Sequence, residues 1–239
     1  MTIAIDAVTS AGFGTTLRSS LSFTHTPVGT PTLALAIWTG APWGGTTAVT
    51  YGGQAMTEVT GSPITGTIPQ VRMFYLDNPP AGAQTMLFDW SGSDIRGGGG
   101  VITFTGTAAS PIGDYAEELD PSISVDTSAS GDCIVVDGYA VDDASITPDK
   151  TSRWNSNFGS GGGNSGACQT TPGTGGTDVM SYSGVGTSDD AHATLIVKGI
   201  VDGFVPRTQF MLSLAGLAIP VAMGQIMVPT LAQATALLG

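Results

Sequence analysis

From its third residue the chain alternates apolar and polar side chains with a period of two. That period belongs to the β-strand, whose successive side chains point to opposite faces. Ile3 and Ile5 alternate with Thr2, Ala4 and Asp6, and "SSLSFTH" puts Leu21 and Phe23 on one face. "TLALAIWTG" departs from the alternation as a near-continuous apolar run, the mark of a strand buried on both faces. In "AVTYGGQAMTEV" the pair Gly52-Gly53 supplies the positive φ angles of a tight hairpin turn. "VRMFYLDN" ends at Pro79-Pro80, which cannot donate to a ladder. Further strands are expected in "AQTMLFDW", "GGGGVITFTG", "SISVDT", "CIVVDGYAV", "DVMSYSG" and "AHATLIVKGIV".

Turn signals at this spacing predict an all-β fold, an antiparallel β-sandwich of jelly-roll type over residues 1–203. No amphipathic helix pattern occurs before residue 205; "DYAEEL", 114–119, is read as one helical turn. Residues 155–176, rich in Gly, Ser, Asn and Thr, read as a long surface loop. "GGGG" at 97–100 relieves crowding or permits a bulge at a strand start.

Charge narrows the function classes. The net charge is −12 with seven Lys and Arg, so no large basic face for nucleic acid can be built. Ten of the nineteen carboxylates fall between Asp114 and Asp149, which reads as a solvated acidic face. The N-terminus "MTIAIDAVTSAGFG" lacks the basic start and apolar stretch of a signal peptide, so synthesis in a host cytoplasm is expected. Cys133 and Cys168 make no disulfide framework, and whether they pair is open.

After Arg207 come 32 residues with no Asp, Glu, Lys or Arg: "TQFMLSLAGLAIPVAMGQIMVPTLAQATALLG". Residues 210–228 are long enough to span a bilayer, but Pro220, Gln225 and the lack of basic anchors argue against that. "FMLSLAGLAI" alternates as a short extra β layer would. An apolar arm packed on other subunits is the overlapping alternative, because such a tail exposed on a monomer would aggregate. Segment 204–239 is therefore expected to serve attachment, with Phe210, Leu212, Leu214, Leu217, Ile219, Ile226, Leu231 and Leu237 as its anchors.

"VTYGGQAMTEVTG", "VRMFYLDNPPAGAQTMLFDWSGS" and "GGVITFTGTAASPIGD" together resemble a β-sandwich module of tailed-phage and prophage virion proteins, also found in some bacterial surface proteins. The resemblance covers most of residues 1–200, with "AHATLIVKG" as the closing strand, and "FMLSLAGLAI" is similar to β repeats attached to some phage structural proteins. It implies a non-enzymatic virion part: a capsid decoration, head fibre or spike, or tail-accessory subunit. Expected partners are further copies of the chain, with a trimer as first expectation, and other virion subunits. No cofactor is expected.

Other chemistry is thinly represented. His25 and His192 read as polar residues at strand ends, and no G-x-S-x-G, HExxH or CxxC occurs. "GGGNSG", 161–166, fits G-x-G-x-x-G but opens no helix. Asp142 and Asp143, with Asp137 or Asp149, are weak calcium candidates without EF-hand spacing. Asp114, Glu117 and Glu118 are equally weak calcium candidates, and for a third class, a glycoside hydrolase, the clustered carboxylates offer no specific acid-base pair. Trp38 and Trp90 read as core. Trp43 and Trp154, read as loop aromatics, carry the alternative function, a carbohydrate-binding or adhesive module that meets a cell-surface glycan.

Overall fold

The structure is a computed structural model that describes residues 2–12, 16–40, 47–61, 69–90, 95–142, 146–157, 164–184, 190–200, 211–214 and 217–220. It divides into two units, Met1–Val201 and Asp202–Gly239. The first unit opens with β1 (Ala4–Gly12), β2 (Ser20–His25), β3 (Leu33–Gly40), β4 (Thr47–Tyr51), β5 (Gln54–Ala55), β6 (Thr57–Glu58), β7 (Gln70–Asp77), β8 (Gln84–Trp90) and β9 (Gly97–Thr105). It continues with β10 (Thr107–Glu118), β11 (Ser122–Asp126), β12 (Cys133–Asp142), β13 (Thr147–Pro148), β14 (Thr151–Asn157), β15 (Asn164–Pro172), β16 (Thr177–Ser183) and β17 (Asp190–Gly199).

These strands form four layers. An outer sheet, β2-β8-β4-β5, covers an inner sheet, β1-β9-β3-β7-β6. That inner sheet packs on a second one, β10-β17-β12-β15-β14, which is covered in turn by β11-β16-β13. The expected all-β antiparallel sandwich is what the chain forms, with four layers in place of two. The second half repeats the first strand for strand: β10 stands where β1 stands, β11 for β2, β12 for β3, and so on to β17 for β9. Among the described residues only β5 has no counterpart.

The layering explains the continuous apolar run. Every residue of β3 is buried, because the strand is central in its sheet and has a core on each face. Ala34, Ala36 and Trp38 point into the outer core with Tyr51, Phe88 and Trp90. Leu33, Leu35 and Ile37 point the other way, against Val136, Leu195 and Val197. β12 divides its side chains likewise, with Val136 and Ala140 on the central core and Val135, Tyr139 and Val141 toward the far outer sheet.

"GGGG" lies on the inner strand β9 and is there for clearance. A Cβ on Gly99 would stand 2.7 Å from Ile37 O, and one on Gly100 2.7 Å from Trp154 Cζ3. The indole of Trp154 therefore lies against bare backbone, which a side chain would block. At the β4–β5 turn Gly52 and Gly53 have φ of 58° and 77°, as the hairpin reading requires.

Two segments differ from expectation. The helical turn at 114–119 is strand: residues 114–118 belong to β10, and Tyr115 to Glu118 pair with Leu195 to His192. A partly exposed edge strand alternates less regularly than an inner one, so its pattern misleads. The long loop at 155–176 is instead largely the β14–β15 hairpin, with Trp154 opposite Cys168 and Asn157 opposite Ser165. Its small polar residues suit a ladder as well as a loop, and pairing with β12 decides between them.

In the second unit β18 (Met211–Leu214) pairs with β19 (Leu217–Pro220), Leu212 opposite Ile219 and Leu214 opposite Leu217. Of the expected anchors these four lie in that hairpin. Phe210, Ile226, Leu231 and Leu237 lie outside the described residues.

Candidate functional site

The densest polar chemistry lies between β12, β17, β15 and β16. Asp137, His192 and Gln169 stand on neighbouring strands, on the face turned toward the far outer sheet, and all three are fully buried. β16 adds Tyr182 from the opposite layer. His192 Nε2 lies 2.7 Å from Asp137 Oδ2, Gln169 Nε2 donates to the same oxygen at 3.2 Å, and the Tyr182 hydroxyl donates to Asp137 Oδ1. Gln169 also donates to Ser181 O at 3.2 Å and accepts from Lys150 N at 2.8 Å.

The protons can be placed by elimination. His192 Nδ1 is 3.1 Å from the Asp120 carbonyl oxygen, which can only accept, so Nδ1 carries a proton. One further proton lies between Nε2 and Asp137. Whichever atom holds it, the pair is neutral as a whole, which is how a buried carboxylate avoids an uncompensated charge. Tyr139 stacks on Tyr182 with ring centroids 4.6 Å apart, and both meet the His192 ring edgewise. The Tyr139 hydroxyl donates to Asp190 Oδ2 at 2.8 Å.

Burial, then the charge of Asp137, pushes the Tyr182 phenol well above its ordinary pKa. Burial, then the hydrogen bond to Asp190, raises Tyr139. Both phenols stay protonated and serve as donors. Both ring nitrogens of His192 are engaged, by Asp137 and by the Asp120 carbonyl, and through Tyr182 the group cross-links two layers.

The first half has its own polar core. His25, fully buried at the end of β2, has Nδ1 2.9 Å from Thr9 Oγ1 and Nε2 3.1 Å from Thr103 Oγ1. Thr103 donates its hydroxyl to Asp6 Oδ2 at 3.2 Å, so its oxygen accepts from Nε2–H and Nδ1 accepts from Thr9. Burial lowers the His25 pKa, against a smaller upward pull from Asp6, and this neutral tautomer fits. The histidines thus stand where strand ends were expected, but as core residues. Nothing local in the sequence marks Asp137, Gln169 and Tyr182 as the company of His192, or Thr9 and Thr103 as that of His25, since register alone brings such distant positions together.

The other sequence candidates stay apart. Trp154 is not a loop aromatic: it lies on β14, 6% exposed, with its ring against Gly100 in the central core, and it offers no free stacking face. Trp43 and Asp143 lie outside the described residues, and of Asp142 only the backbone, in β12, is described. Asp137 is spent on its hydrogen bonds, and Asp149 accepts from Lys150 Nζ and Ser181 N. Among the described residues no group of His, Cys, Asp and Glu is arranged to hold a metal ion. Also among them, no helix is long and apolar enough to cross a membrane.

Cys133 and Cys168 are both free and buried. The ladder sets Cys168 opposite Gly138, five positions along β12 from Cys133, or roughly 17 Å at strand rise. They also face different cores, Cys133 toward the far outer sheet and Cys168 toward the centre. That separation excludes a disulfide.

No family model, curated protein or solved structure matches this chain.

Proposed function

We propose that the chain is a non-enzymatic structural subunit of a tailed phage or phage-like particle, serving as a capsid decoration, head fibre or spike, or tail-accessory protein. Each half of the β body is read as a jelly roll, and the subunit joins its particle through residues 204–239, as a homo-oligomer of which a trimer is the first expectation. The observation that carries this reading is the distribution of charge. Every Lys, Arg, Asp and Glu lies at or before Arg207, and the 32 residues beyond it carry none.

A strongly acidic body stays soluble, whereas an uncharged tail rich in Leu, Ala and Met needs a surface to cover it. Each 100 Å² of apolar tail covered contributes about 2.5 kcal/mol before the entropy of ordering is set against it. The buried polar groups support the same reading, because they join layers and leave no histidine nitrogen open to a substrate.

The test is truncation. A chain ending at residue 203 should be soluble and folded and should no longer join the particle. A truncated chain that is incorporated like the full one contradicts the proposal.

A further inference from the structure

Among the described residues β2 is paired on one side only, with β8. The ladder fixes which backbone groups are left over. Trp90 N–H donates to Ser19 C=O, and on the other side of β8 Gly52 N–H donates to Thr85 C=O. Leu21, Phe23 and His25 therefore turn their backbone groups toward β8, and Ser20, Ser22 and Thr24 turn theirs away from the sheet.

This edge is unlike the others. Its six residues keep an unbroken register, whereas β1, β10 and β14 are each interrupted by a register shift. β5, β6 and β13 are two residues long. β11, the counterpart of β2, is regular but carries Asp126 and follows Asp120. Bulges, brevity and charge are the usual protections of a sheet edge, and β2 has none of them. From Leu17 to Val28 there is one Arg and no carboxylate. Leu17, 50% exposed, and Val28, 86% exposed, stand just beyond its two ends. A groove of about 500 Å³, lined by Ala11, Gly12, Arg18, Ser20, Leu21 and Ser22, runs beside its first half.

We infer that β2 is where two copies of this chain pair, antiparallel about a twofold axis at Ser22, joining their outer sheets into one. A twofold axis normal to the sheet keeps inward residues inward, so residues of the same parity must oppose each other. Centring on Ser22 sets Ser22 against Ser22 of the second copy and Ser20 against its Thr24, and it completes about six backbone hydrogen bonds. It also carries Leu17 alongside Pro27 and Val28 of the other copy, at both ends at once.

Charge favours a second copy as the occupant. Two bodies from a chain of net charge −12 repel unless they meet where no carboxylate faces another, and this edge is such a place. Asp89, one strand in from Ser20, is held three strand spacings from its symmetry mate, roughly 14 Å and beyond the Debye length at physiological salt. The pairing uses none of residues 204–239, so it stands or falls separately from assembly through the tail.

The test is Ser22→Cys in the full chain under mild oxidation. Opposed Cα atoms about 5.5 Å apart are within disulfide reach, and the two native thiols are buried. A disulfide-linked dimer should form, and Thr24→Cys, opposed by Ser20, should form far less. Ser22→Lys, which opposes like charges at the axis, should weaken self-association in sedimentation about tenfold or more. Three results overturn the pairing: a folded Ser22→Cys chain that labels with thiol reagents yet does not cross-link, equal cross-linking by both cysteine variants, or unchanged association of Ser22→Lys.

Discussion

His192 Nε2 and Asp137 Oδ2 approach to 2.7 Å across neighbouring strands, with both side chains sealed from solvent. Removing either partner strands the other. Asp137→Ala should cost about 3–5 kcal/mol, the penalty typical of breaking a buried pair. A double-mutant cycle with His192→Ala should show coupling, measured as urea midpoints with an unchanged m-value.

Alkaline pH should loosen the fold through its phenols. Burial raises Tyr51 to about 12 and also pushes Tyr139 and Tyr182 well above the ordinary phenol range. A tyrosine in an unfolded chain ionises near 10. The folded state holds these protons more tightly, so their contribution is whole below about pH 10 and is lost as pH rises beyond it. Urea midpoints should fall above pH 10. Phenolate absorbance of the native protein at pH 11 should correspond to fewer than the five tyrosines present, and to all five in denaturant.

The thiols should be silent until the chain unfolds. Burial, then the charge of Asp137, raises Cys168 well above the ordinary thiol range, and burial also raises Cys133. A thiol reagent at pH 8 should find neither cysteine in the native protein and both in guanidinium. A native protein with no titratable thiols after unfolding would mean a disulfide and would contradict the ladder register.

Gly100→Ala should be costly where Gly176→Ala is not. At Gly100 the new methyl meets a rigid indole at 2.7 Å, which should cost about 1–3 kcal/mol. At Gly176 the nearest atom is Thr174 Oγ1 at 3.9 Å, so the change should be neutral or stabilise by up to about 1 kcal/mol. Thermal midpoints of the two variants check this.

How much of this was legible in the sequence depended on the range of the cause. β3 announces itself because burial on both faces is written locally, in eight consecutive buried residues. The Gly52-Gly53 turn is equally local. Asp137, His192, Gln169 and Tyr182 look like scattered polar residues until the register of β12, β15 and β17 brings them together. Trp154 reads as a loop residue for the same reason: its polar neighbours suggest a loop, and the bare backbone of Gly100 on another strand accounts for its burial. The repeated strand order of the two halves was hidden as well, because topology is kept by which strands pair and not by any one side chain.

The central claim is that this chain is a virion part held by its uncharged end. The most direct measurement is electron microscopy of particles from the lysate, labelled with gold-conjugated antibody raised against the β body, residues 1–200. The account predicts label at regular, symmetry-related positions on the particles, lost when the chain ends at residue 203. Full-length protein found only free of particles, or label that persists after the truncation, would contradict it.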